Sequence, residues 1–190
     1  MVTHVALLRG INVGGRNKVA MADLREIMTS LGHTDVATYI QSGNVVFSTA
    51  QTDTLALAAA IERAVEQRTG VRSQVLVLSS ADLAQIAQDD PYPDEPNPKL
   101  VHVVFLPAEP APEMITSVAE AQDQVAQKGS RDTAQYAGRA LFLHTPDGFG
   151  RSELATLLTR AARPLSAKGA GTARNVATVR KLLDMCGGSA

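Results

Sequence analysis

The chain has no Trp, and its 190 residues include only four Phe, three Tyr and one Cys. So few aromatic residues leave the core to Val, Leu, Ile and Ala. They also count against the stacking platforms on which single-stranded nucleic acid is bound. The lone Cys186 excludes an intrachain disulfide and the multi-cysteine metal sites. Net charge is scarce too, at −1, which argues against a strongly basic nucleic-acid binder. No apolar run approaches about 18 residues, and no basic-then-apolar leader opens the chain, so a soluble, cytoplasmic protein is expected. His4, His33, His102 and His144 stand apart with no i, i+4 pair, and neither a metal site nor a cofactor is expected.

The composition that remains, 45% apolar and 19% charged, is that of an ordinary globular protein, long enough for one large or two small domains. Charge is unevenly placed. Residues 1–25 carry Arg9, Arg16, Lys18 and Arg25 against Asp23, and residues 151–190 carry seven Lys or Arg against Glu153 and Asp184. The segment 51–130 is acidic, with twelve acids against five bases. The basic ends either meet as a local positive patch or are scattered and solvated.

Periodicity gives the order of elements. Residues 2–8 read as a buried strand, 9–20 as a glycine-rich loop and 21–31 as a helix with Leu24, Ile27, Met28 and Leu31 on one face and Gly32 at its end. Residues 36–41 and 45–48 read as strands joined by Ser42-Gly43-Asn44, 54–68 as a helix ended by Gly70, and 72–78 as a fourth strand. This β-α-β-β-α-β order is the ferredoxin-like arrangement, two helices over one face of a four-stranded antiparallel sheet.

A short helix capped by Ser79 or Ser80 leads to residues 89–98, where proline at four of ten positions forbids regular structure. The pattern then repeats: a strand at 100–106, a helix at 112–121, a hairpin around Gly138, and a helix capped by Ser152 with Leu154, Leu157, Leu158 and Ala161 on one face. The closing strand is expected to be missing or very short. A glycine-rich basic segment, 166–172, stands there, followed by a helix from about Arg174 to Met185. The expected class is therefore α+β. One ferredoxin-like subdomain spans 1–78, a short helix and Pro-rich linker 79–98, and a second subdomain with an extra C-terminal helix 99–190.

Three blocks carry a resemblance: RGINVGG at 9–15 followed by Met-Ala-Asp-Leu-Arg, TYIQSGNVVF at 38–47, and TARN at 172–175 with Thr178, Leu182 and Leu183. Together they resemble a bacterial family known as domain of unknown function 1697. The resemblance implies a pair of ferredoxin-like subdomains and says almost nothing of function. The family's late block usually has Trp directly after Arg-Asn, where this chain has Val176.

Two segments combine glycine with basic and amide side chains. In the first, Arg9, Asn12, Arg16 and Lys18 stand among Gly10, Gly14 and Gly15, so backbone N–H groups can approach an anion while the cations hold it. The spacing Gly10-x-x-x-x-Gly15 echoes a phosphate-binding P-loop. Arg16-Asn17 replace the required Lys and Ser or Thr, which excludes that motif. In the second, Lys168, Thr172, Arg174 and Asn175 run into the last helix, whose N-terminus would favour an anion and oppose Arg174. The plainer alternatives are turn glycines with positive φ in the first, and Thr172 as a simple cap in the second. Ser42-Gly43-Asn44 reads mainly as a turn, expected at the opposite end of the sheet from the first loop.

No set of residues for a known reaction appears. The expected function is a non-enzymatic binding protein for an anionic ligand, a nucleotide, phosphorylated metabolite or short nucleic acid, held by the two loops. The alternatives are an enzyme acting on a phosphorylated substrate and a structural or oligomerising module.

Overall fold

The first run of elements is β1 (His4–Leu8), α1 (Met21–Ser30), β2 (Thr34–Tyr39), β3 (Asn44–Ser48), α2 (Thr54–Thr69) and β4 (Val75–Ser79), followed by α3 (Ser80–Gln88). They come from a computed structural model that describes residues 2–160, 163–166 and 171–187. The strands form one antiparallel sheet in the order β2-β3-β1-β4. Asp53 caps α2, accepting the N–H groups of Leu55 and Ala56, and left-handed Gly70 ends it. Leu24, Met28, Leu57, Ile61 and Val65 of the two helices pack on Ala6, Leu8, Val45 and Phe47 of the sheet. Each large side chain so buried contributes about 1.5–3 kcal/mol. Every residue of β1 is buried, which is why its sequence after His4 is an unbroken apolar run.

The order then repeats: β5 (Val101–Phe105), α4 (Pro112–Ala126), β6 (Thr133–Ala137), β7 (Ala140–His144), α5 (Glu153–Leu158) and β8 (Thr172–Asn175), with α6 (Val176–Met185) at the end. The second sheet, β6-β7-β5-β8, matches the first in order and direction. Its core joins Val104, Leu141 and Leu143 to Val118, Val125, Leu154 and Leu158. The fold is α+β, two ferredoxin-like subdomains and a C-terminal helix. The chain divides into two compact units after Gln85 and again after Arg180. No helix among the described residues is long and apolar enough to cross a membrane.

The C-terminal reading needs correction. The closing strand is present and very short, four residues, one of the two outcomes expected. What changes is its place, for it is the TARN block itself, paired antiparallel with β5 from Phe105↔Thr172 to His102↔Asn175. Thr172 and Arg174 are buried while Ala173 and Asn175 are half-buried, the alternation of a strand. Arg174 is therefore not in a first helical turn. The helix begins at Val176, and its cap is Asn175, whose Oδ1 accepts the Thr178 N–H at 2.8 Å. Helix α5 ends at Leu158, and Ala161, expected on its inner face, lies outside the described residues.

Candidate functional site

Residues 9–20 carry the chain from β1 to α1 along an unusual path. Gly10, Asn12, Gly14, Gly15 and Asn17 all have φ between +50° and +76°. Val13 and Arg16 pair in a two-residue hairpin closed by Arg16 N–H to Val13 O at 3.0 Å. Gly14 and Gly15 supply the two left-handed central positions that such a turn requires. Asn12 and Asn17, the non-glycine residues in this conformation, are held by their own side chains. Asn12 Nδ2 donates to Val19 O and Gln41 O, both at 2.9 Å, while its Oδ1 accepts the Val19 N–H at 3.0 Å. Asn17 Nδ2 donates to Gly10 O at 3.0 Å.

The bond from Asn12 to Gln41 overturns the expectation that this loop and the β2–β3 turn lie at opposite ends of the sheet. Helix α1 reverses the chain, so β2 runs in the same direction as β1 and both finish at one end. Leu8 N–H donates to Gly43 O at 2.8 Å, and a Cβ on Gly43 would stand 2.8 Å from Leu8 Cβ and 2.9 Å from Ile11 Cδ1. Glycine at 43 is thus set by close approach as well as by its φ of +75°. Asn44, fully buried, closes the turn by donating to Tyr39 O and Ser42 Oγ.

The end so formed is basic and partly apolar. Arg16 and Lys18 are exposed, and their side chains make no hydrogen bond or ion pair among the described residues. Arg9 is half-buried, reaches Gln74 Oε1 at 3.3 Å, and has its pKa lowered by desolvation. Val13 is 66% exposed and Ile40 52%. Ile40 also has φ +48°, a conformation that a β-branched residue rarely adopts. Val13 and Ile40 each adjoin one partner of the Asn12–Gln41 bond.

The second segment is built differently. Lys168 lies outside the described residues. Arg174 is buried within β8, donating from Nη1 to Thr172 Oγ1 at 3.0 Å and Ala173 O at 2.8 Å, and desolvation pulls its pKa down to about 10. Gly171 donates its N–H to Pro164 O at 3.0 Å, and a Cβ there would collide with that oxygen and with Val104. Close packing, rather than an anion, explains this glycine. Arg9, Asn12, Arg16 and Lys18 thus share one loop, whereas Thr172, Arg174 and Asn175 belong to a strand.

The sequence profile of a family described as "Protein of unknown function (DUF1697)" matches residues 1–142. The chain belongs to the DUF1697 family. The matched DUF1697 region holds the RGINVGG and SGNVVF blocks, the two sides of the loop–turn contact, while TARN falls beyond it. Among curated protein sequences none matches the chain. Among solved structures it is similar to a conserved bacterial protein, SP0830 from Streptococcus pneumoniae. The identity is 23% and the TM-score 0.70, over 97% of this chain and 98% of that one.

Other polar groupings of this DUF1697 chain escape a reading by sequence. Glu95 Oε2 lies 2.7 Å from His144 Nε2, and the Tyr92 ring packs on that imidazole at 5.1 Å. The Tyr92 hydroxyl bonds Thr133 Oγ1 at 2.9 Å, so the Pro-rich stretch is an ordered loop seated on the second sheet. The signal was an aromatic and an acid among prolines, 41 and 49 residues from their partners. Ser152 caps α5 through Ala155 N–H and donates to Asp132 Oδ2 at 2.7 Å, a structural assignment. Among the described residues no three His, Cys, Asp or Glu side chains gather where they could hold a metal ion.

Proposed function

We propose that this protein binds a phosphate-containing ligand, a nucleotide or short nucleic acid, at the end of its first sheet. Arg16 and Lys18 supply the charge, and Arg9 stands behind them. The carrying observation is a backbone locked in five left-handed positions that displays two cations with no partner of their own among the described residues. Such a loop loses little freedom when a ligand arrives. Arg forks two oxygens and Lys supplies a point charge. The exposed Val13 and Ile40 favour a ligand with an apolar part over bare phosphate. Asn12 takes part by positioning, since its amide is engaged within the loop and turn.

An enzyme would need an acid or base beside these cations. The side chains bonded to the loop and turn are neutral: Asn44 and Ser42 within the turn, Ser73 Oγ donating to Arg9 O, and Gln74. On the approach to β4, Arg72 is paired with Glu66, and the Glu62 carboxylate is engaged by the Val75 N–H at 2.8 Å. Binding without turnover is the reading they support. We further take the protein as cytoplasmic and its halves as a duplication, only the first keeping the elaborated loop.

The test is a thermal-shift screen at low salt against nucleotides, sugar phosphates, pyrophosphate and short RNA and DNA. A ligand at a hundred times its Kd adds about 2.7 kcal/mol. For a chain of this size that raises the melting point by roughly 5–10 °C. The expected result is a shift with nucleotides or nucleic acid that disappears in Arg16→Ala. No shift with any of them would falsify the proposal.

A further inference from the structure

A second basic concavity lies wholly within the second unit. It is a cleft of about 280 Å³ between the end of α4 and α5, lined by Gln124, Lys128, Gly150, Arg151, Glu153, Thr156 and Arg160 with Leu157 beneath. Lys128 Nζ pairs with Glu153 Oε2 at 3.2 Å, which neutralises one cation. Arg151, in the turn before α5, and Arg160, just past its end, make no side-chain hydrogen bond or ion pair among the described residues. Two guanidinium groups thus line a cleft whose one carboxylate, Glu153, is already paired with Lys128. Each is an exposed cation with no counter-ion of its own among the described residues.

We propose that this cleft binds a small phosphate monoester with a hydroxylated carbon skeleton, a sugar or polyol phosphate. The planar forks of Arg151 and Arg160 match the oxygens of a phosphate dianion, which would supply the counter-charge both lack. The neutral groups suit the remainder of such a ligand. Thr156 Oγ1 donates its own proton to Ser152 O at 3.0 Å, so its lone pairs are left to accept a ligand hydroxyl. Gln124 offers an amide with no hydrogen bond among the described residues. Leu157 gives an apolar floor for carbon. The volume falls below the roughly 300 Å³ at which pockets for drug-sized ligands begin, which favours one phosphate on a short skeleton over a nucleotide. This site does not depend on the loop at the first sheet, since none of its residues belongs to that unit.

The experiment is a titration of the full chain with glycerol phosphate, and separately with inorganic phosphate, followed by amide NMR at constant ionic strength. The expected result is saturable movement of the Gly150 and Thr156 signals, with glycerol phosphate binding more tightly than inorganic phosphate. Arg151→Gln and Arg160→Gln should each weaken it at least tenfold, while Arg16→Ala leaves it unchanged. The substitutions replace exposed side chains, and the folded state of each variant is read from the same spectrum. Signals at Gly150 and Thr156 that stay still, or variants that bind as the parent does, overturn the proposal. So does a short RNA that moves those signals at lower concentration than glycerol phosphate, for then the cleft is part of a nucleic-acid face.

Discussion

The two units repeat one strand order and one helix placement, yet their corresponding ends differ. The link from β1 to α1 holds five left-handed residues and a hairpin of its own. Its counterpart from β5 to α4, residues 106–111, reads Leu-Pro-Ala-Glu-Pro-Ala and has no residue with positive φ. The turn after β2 needs a buried Asn and a crowded Gly, whereas β6 passes to β7 through Gly138-Arg139 alone. The second unit therefore shows that the fold does not require such a loop. An elaborated loop that the architecture can do without points to a use beyond folding.

The sharpest test of that contrast substitutes alanine at the two hairpin glycines. Gly43 and Gly138 both have positive φ, +75° and +52°, so both variants suffer left-handed strain of about 1–2 kcal/mol. Only at Gly43 does the new Cβ also meet Leu8 and Ile11, whereas nothing lies within 4 Å of one on Gly138. Overpacking adds about 1–3 kcal/mol. Gly43→Ala should thus cost roughly 2–5 kcal/mol and Gly138→Ala about 1–2, read from denaturant midpoints. Equal losses would mean that the loop and turn are not held together as described.

Buried imidazoles mark a second difference. In the first unit His4 and His33 flank Phe47, with ring centroids 5.6 and 4.7 Å from it, and burial lowers the pKa of each. In the second unit His102 packs on Phe149 at 4.2 Å, its Nδ1 is buried without a partner among the described residues, and burial pulls its pKa down to about 4. The unfolded chain takes up that proton at 6.5 and the native state only near 4, so His102 favours folding above 6.5. That stability is lost as pH falls from 6.5 through about 4, a loss of at most roughly 3 kcal/mol. His102→Leu should flatten the acid limb of the stability profile and raise the melting point near pH 5. A profile as steep as the parent's would assign the acid sensitivity to His4 and His33.

How much of this was legible varied with the kind of force at work. Helix faces and ends were readable because Leu24, Ile27 and Met28 obey a period, and because Gly70 and Ser152 act on neighbours in sequence. The closing strand was hidden because its buried positions, on the sheet face away from the α4–α5 core, are Thr172 and Arg174, where apolar residues would have announced it, and its core-facing residue is only Ala173. Gly171 mimicked an anion loop because crowding by Pro164 is a contact no local pattern records. The meeting of loop and turn could have been derived, since a helix returning the chain leaves β1 and β2 ending together. The basic cleft was out of reach, for it gathers residues 124–160 across two helices and a turn.

Side-chain amides offer a smaller contrast. Asn12 makes three hydrogen bonds that hold a loop, while Asn175 makes one that caps α6. Asn12→Ala should cost about 2 kcal/mol, since it leaves the carbonyls of Val19 and Gln41 without that donor. Asn175→Ala should cost about 1 kcal/mol, as cap removal does. Amide hydrogen exchange separates them: the first variant should lose protection between residues 12 and 19, the second only at the start of α6.

The smallest effect on stability is the one that bears most on function. Arg16→Ala and Lys18→Ala remove exposed side chains that bond to nothing among the described residues, so each should change stability by less than about 0.5 kcal/mol. If the loop exists to hold an anion, the same substitutions must weaken nucleotide or oligonucleotide binding and make it less sensitive to salt. Removing one cation–phosphate pair lowers the slope of log affinity against log salt by roughly 0.7–0.9 for a nucleic acid. A slope reduced in the first-loop variants, and unchanged when Arg139 of the plain hairpin is replaced by Ala, ties the binding to the elaborated end. An equal reduction in both would mean that the second unit's simpler turn serves as well, and the left-handed backbone at residues 10–17 would need another reason.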